Sequence, residues 1–239
     1  LDFFNLPAND HMDGKSLSET IYRDKPVREA ALFGNHGGHI NITDGSYVYM
    51  RAGESTDCLY QYTLAATHLR QFFLPEELSN IELSNGFSFT DNKPVMKIKR
   101  ADDLTFSFAA DTSYFGHRLY DLKNDPEQKN PIDDSSIEAE MIKKMAVLME
   151  ENEAPKEQYQ RMGIPLDGDI SVNDLNEEKI RWRRMVEPFK HVEWKDNTQD
   201  EYLSILQSLP IEEREKISSI FESYIKEYYH CCEKPNPAI

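Results

Sequence analysis

Apolar and polar positions alternate with a period of two through much of residues 30–122, and from about residue 136 the apolar positions recur every three to four residues. The first pattern predicts strands and the second helices. Ala30 to Phe33 reads as a short buried strand, and Gly34-Asn35-His36-Gly37-Gly38 as a tight loop after it. His39 to Thr43 and Ser46 to Arg51 flank Asp44-Gly45, a pairing that predicts a hairpin with a two-residue type I′ turn because glycine accepts positive φ. That register sets Ile42 opposite Tyr47 and Ile40 opposite Tyr49, with His39, Asn41, Val48 and Met50 on the other face. Neither face is purely polar, so the hairpin is expected inside a sheet covered on both sides. Tyr60–Ala65, Val95–Lys99, Leu104–Phe108 and His117–Leu122 are further strand candidates.

Ser135-Ser136-Ile137-Glu138 fits a capping box for a helix over Ser136–Asn152. Ile137, Met141, Met145, Leu148 and Met149 share one face of it, and the methionines read as core packing. Beyond residue 165 helical periodicity dominates. One helix is expected over Asn173–Pro188. A second is capped by Thr198-Gln199-Asp200-Glu201, and a third opens at Pro210 with a stripe of Ile217, Ile220, Phe221, Tyr224, Ile225 and Tyr228. Residues 1–29 are turn-rich, punctuated by Pro7, Asp13-Gly14 and Pro26. The expected class is α+β: an irregular segment (1–29), a sheet domain with a packed helix (30–164), and a helical extension (165–239).

Composition narrows the partners. The 239 residues carry 43 acidic against 27 basic side chains, a net charge of −16, and the average field repels nucleic acid and anionic membrane. No run of about 18 apolar residues occurs, so no membrane span is expected. Three cysteines, two of them adjacent, do not make a disulfide framework, which favours a reducing, cytoplasmic compartment. The chain starts at Leu1 in what reads as the tail of an apolar helix, so its start is expected to be a boundary within a longer polypeptide.

No candidate constellation closes into a catalytic centre. His36 and His39 flank two glycines and could line a substrate mouth. Alternatively, one of them satisfies backbone groups while the glycines turn the chain. Metal ligation needs more ligands than this spacing supplies. Cys58, Cys231 and Cys232 lack a base or a positive surrounding and are expected to be inert. Asp102-Asp103, Asp133-Asp134 and the Asp10/Asp13 pair could bind a hard cation, but each reads more simply as a turn or a helix cap. Arg181, Trp182, Arg183 and Arg184 read as an internal salt-bridge face. There is no Gly-x-Ser-x-Gly, phosphate loop or dinucleotide fingerprint.

Several stretches in order resemble the C-terminal part of a sulfatase. They are Leu1-Asp2-Phe3-Phe4-Asn5-Leu6-Pro7 followed by Asp13-Gly14-Lys15-Ser16-Leu17, then Val27-Arg28-Glu29 through Gly45-Ser46-Tyr47-Val48-Tyr49-Met50-Arg51, then Leu119-Tyr120-Asp121-Leu122-Lys123-Asn124-Asp125-Pro126-Glu127. The likeness covers about residues 1–163. It departs at Asn130-Pro131-Ile132, where the family usually has asparagine-leucine, and residues 165–239 match nothing in the family core.

This resemblance implies the small C-terminal domain of the alkaline phosphatase superfamily, a four-stranded antiparallel sheet with a helix. It also implies that the complete protein hydrolyses sulfate esters with calcium, or another divalent cation, and a formylglycine nucleophile, all supplied by an N-terminal catalytic domain. The family's Cys/Ser-x-Pro-x-Arg pentapeptide does not occur in this sequence. No catalytic or metal residue can therefore be carried over, and the chain by itself is expected to be inactive. His36 and His39 are the expected substrate-binding residues, at a pocket rim. The alternatives are part of a phosphodiesterase or phosphonate monoester hydrolase of the same superfamily, or a non-catalytic module. In the last case the aromatic stripe of the final helix would pair protomers into a homo-oligomer.

Overall fold

A computed structural model describes residues 1–7, 12, 14–53, 59–67, 72–99, 116–186, 207–211 and 214, with side chains through residue 183 of the helical segment. It is a mixed α+β structure with antiparallel sheets. The strands are β1 (Ala31–Gly34), β2 (Ile40–Thr43), β3 (Tyr47–Arg51), β4 (Tyr60–Thr63), β5 (Glu82–Ser84), β6 (Val95–Lys99) and β7 (Arg118–Asp121). The helices are α1 (Ser18–Arg23), α2 (Pro75–Leu78), α3 (Ser135–Glu151), α4 (Lys156–Met162) and α5 (Val172–Val186).

Four strands form one sheet in the order β1-β2-β3-β7, and three form a second in the order β4-β6-β5. In the first sheet one row of paired residues crosses every strand: Leu32, Ile42, Tyr49 and Leu119. Ile42, Tyr49 and Leu119 are fully buried beneath Met141, Ile142, Met145 and Met149 of α3. Each such side chain contributes about 1.5–3 kcal/mol when removed from water. The methionines are core, as their spacing predicts. Val48, Asn41 and Tyr120 are buried on the opposite face, so both faces of the sheet are covered.

The hairpin forms, but its register differs from the expected one. Ile42 pairs with Tyr49 and Ile40 with Arg51, which puts Gly45 and Ser46 at the centre of the turn. The cause is Asp44. Its Oδ1 accepts from the backbone N–H groups of Ser46 and Tyr47, both at 3.0 Å, while its Oδ2 takes Lys144 Nζ of α3 at 2.6 Å. That anchors Asp44 before the turn rather than within it. Gly45, at φ +85°, then supplies the positive φ that the first central position of a II′-type turn requires. The shift is two residues along one partner, so inward and outward faces are kept.

Helix α3 also starts differently in detail. Its N-cap is Asp134, whose Oδ1 accepts from Ser136 N at 3.0 Å and Ile137 N at 3.2 Å. Ser135 is not the cap because its hydroxyl is engaged elsewhere, with Asn176 Oδ1 at 2.6 Å and Lys179 Nζ at 2.8 Å. Leu104–Phe108, the residues beyond 186 other than 207–211 and 214, and all three cysteines lie outside the described residues.

Helix α5 belongs to the same core. Leu175 is buried with the α3 methionines, and Trp182 lies against Gly116. Gly116 holds φ +66°, and a Cβ there would sit 2.6 Å from the indole. Gly116→Ala is therefore expected to lower stability by more than the about 1–2 kcal/mol of its backbone strain, since the indole must also move. Thermal denaturation of the two proteins checks this, and equal midpoints would refute it.

Candidate functional site

The histidine–glycine bend joins β1 to β2, where Gly38 N closes a turn onto Asn35 O at 3.0 Å. His36 Nε2 bonds Tyr60 O at 3.2 Å, and His39 Nε2 bonds Gly116 O at 3.0 Å. A carbonyl only accepts, so both rings carry a proton on Nε2. The bend is thereby tied to the start of β4 and to the segment ahead of β7. His36 is exposed and His39 is half-buried. Burial holds His39 below the usual imidazole range; the Gly116 bond opposes this, and the nearby Arg118 and Arg161 add to it.

Arg161, near the end of α4, lies behind the bend with 4% of its surface exposed. Its Nη1 and Nη2 donate to Gly37 O at 3.3 Å and Gly38 O at 3.1 Å, and its Nε donates to Gln158 Oε1 at 3.0 Å. In a chain this acidic, the bend thus gathers His36, His39, Arg118 and Arg161.

A second network adjoins it. Arg51 is fully buried at the end of β3. Its Nε and Nη2 donate to Met162 O at 2.8 Å and Gly163 O at 3.1 Å. Nη1 and Nη2 also meet Glu178 Oε2 and Oε1 of α5, each at 3.0 Å. Glu178 Oε1 accepts from His117 Nε2 at 2.6 Å, and His117 Nδ1 accepts from Ala52 N at 3.0 Å. His117 is therefore a neutral imidazole bridging two elements. Burial lowers its pKa, the bond to Glu178 opposes that, and Arg51 reinforces it.

The remaining candidates have structural partners. Asp134 caps α3, and Asp133 pairs with Lys179 at 2.7 Å and with Arg183 at 2.5 Å. Lys179 also meets the buried Glu138 at 2.6 Å. Burial raises the Glu138 pKa against that ion pair, and among the described residues the second oxygen of Glu138 has no hydrogen-bond partner. Asp10, Asp13, Asp102 and Asp103 lie outside the described residues. A shallow concavity of about 260 Å³ is lined by Gly163, Ile170, Asp174, Glu177, Glu178 and Arg181. Three carboxylates against one guanidinium make it a poor seat for an anionic ester.

Among the described residues, no three or more His, Cys, Asp or Glu side chains are arranged to hold a metal ion. No described helix is long and apolar enough to cross a membrane. Comparison with protein-family models, curated proteins and solved structures finds no match to this chain.

Sequence reasoning picked out His36 and His39 but missed Arg51, Arg161, His117 and Glu178. One signal was available. Arg51 follows Tyr47 and Tyr49 at inward positions of an alternating strand, so its charge had to be buried and therefore paired.

Proposed function

We propose that this chain is the small C-terminal sheet domain of a sulfatase-type enzyme that hydrolyses sulfate esters. The observation that carries this reading is where the sulfatase-like stretches fall. Val27 to Arg51 spans β1, β2 and β3, and Leu119-Tyr120-Asp121-Leu122 forms most of β7. These strands are the four members of one antiparallel sheet, and α3 covers its inner face. This is the arrangement expected of that domain.

The nucleophile, a formylglycine, and the divalent cation would come from a large domain outside these residues. This chain's part is to place the bend at the pocket rim. Its cationic side chains, Arg118 and Arg161, favour an anionic substrate nearby. His39, with Nε2 committed to Gly116, keeps Nδ1 as an acceptor when neutral and as a donor to an oxyanion when protonated.

The test is turnover of an aryl sulfate and an aryl phosphodiester by the full-length protein and by the 239-residue chain. Sulfate-ester cleavage by the full-length protein, absent from the chain alone, is expected. A KM raised by combined His36→Ala and His39→Ala would support the rim assignment. Cleavage of the phosphodiester alone would move the chemistry to phosphorus, and turnover of neither ester would favour the non-catalytic module.

A further inference from the structure

Gly37 and Gly38 have no side chains to pack, and Gly37 holds φ +78°. Within the bend, the turn bond from Gly38 N to Asn35 O holds its shape. From outside, Arg161 holds it as well. One terminal nitrogen of the guanidinium holds Gly37 O and the other holds Gly38 O. Consecutive carbonyls match the planar fork of arginine, and a lysine ammonium, a single point, does not reproduce it. The side chain is itself buried and oriented by Gln158, so the fork is rigid. His36 and His39 stand at the two ends of the clamped pair, tied to Tyr60 O and Gly116 O. Three separate elements therefore converge on a five-residue loop, residues 35–39.

We propose that Arg161 is the positioning residue of this bend: it fixes His36 and His39 in the orientation that an anionic ester meets at the pocket rim. This rests on the reading of the bend as that rim. Arg161 lies buried behind the bend, with Nε on Gln158 and both terminal nitrogens on backbone carbonyls, so it acts on the loop and not on the substrate. Its loss loosens the loop before the substrate arrives, so the penalty falls on binding and not on bond cleavage.

Two substitutions separate shape from charge. Arg161→Lys keeps the cation and loses the fork, and Arg161→Gln loses both. In the full-length enzyme each is expected to raise KM for an aryl sulfate about tenfold with kcat within about twofold. Neither should add fully to His36→Ala with His39→Ala, because both changes remove one oriented unit. In the 239-residue chain, the Gly38 amide, bonded to Asn35 O, should exchange at least about tenfold faster in Arg161→Lys, with β2 and β3 amides unchanged.

Unchanged Gly38 exchange overturns the positioning role, whatever the substrate proves to be. Unchanged KM in Arg161→Lys, beside a raised KM in the double-alanine variant, overturns the link from this clamp to binding. A kinetically silent double-alanine variant overturns the rim reading itself.

Discussion

Glu178→Ala is expected to lower folding stability by about 3–5 kcal/mol, the usual cost of removing one partner from a buried ion pair. The reason lies in what stays behind. Arg51 is fully buried, and its guanidinium meets both oxygens of Glu178 at 3.0 Å. Alanine leaves that charge without its carboxylate and also strips the acceptor from His117 Nε2. Against a domain stability of about 5–15 kcal/mol, such a loss is severe. Glu178→Gln should cost less, because its amide oxygen still accepts one of these bonds. Arg51→Met combined with Glu178→Leu should cost less than the two single changes added together, since no lone charge is then buried. Denaturant unfolding gives all five values. A Glu178→Ala protein within about 1 kcal/mol of the parent would show that the pair is not holding α5 to the sheet.

That pair also marks what the chain reveals on its own. Local patterns were legible wherever short-range chemistry decides. The alternation around Asp44-Gly45 gave a real hairpin, and the Met141–Met145–Met149 spacing gave the buried face of α3. Details failed where a distant residue intervened. Lys144, a hundred positions from Asp44, helps to fix the turn, and Lys179 with Asn176 draws Ser135 away from capping. Short elements with little periodicity, α1, β5 and α4, were not anticipated, and α4 carries Arg161.

The candidate site shows the same division. A histidine–glycine bend can be read from five consecutive residues. Its clamp cannot, because Arg161 lies 123 residues from Gly38 and nothing local marks that arginine as buried. Helix α5, expected to belong to a separate extension, supplies Glu178, Lys179, Leu175 and Trp182 to the sheet domain and its core. The contacts of α5, the Glu178 carboxylate at His117 and the Trp182 indole at Gly116, are therefore part of what positions these two residues, and through Gly116 they reach His39.

Acid should expose this dependence. His39 and His117 both have folded-state pKa values lowered from the ordinary 6.5. Burial is the main cause in each. Arg118 and Arg161 face His39, while Arg51 faces His117 and disfavours its charge against the pull of Glu178. Tyr49, its ring centre 6.4 Å from that of His117, carries no charge in this range because burial raises its pKa. Below 6.5 the unfolded chain takes up protons that the folded chain refuses. Stability is thus fully present above about pH 6.5 and falls with pH toward the lowered values, by up to about 1.4 kcal/mol per unit for each histidine.

The carboxylates do not mimic this between about pH 5 and 6.5. Asp44, Asp121, Asp133 and Glu157 have lowered pKa values, so their contributions are lost only below the ordinary carboxylate range. Glu138 acts with the opposite sign. Its raised pKa lets the folded state hold a proton that the unfolded state has released, which offsets part of the histidine loss as pH falls. His117→Gln keeps a donor for Glu178 but cannot titrate. It should be less stable than the parent at neutral pH, and its stability should fall less steeply, by about one histidine's share, between about pH 6.5 and 5. Parallel stability–pH curves for the two proteins would mean that His117 does not carry the acid response.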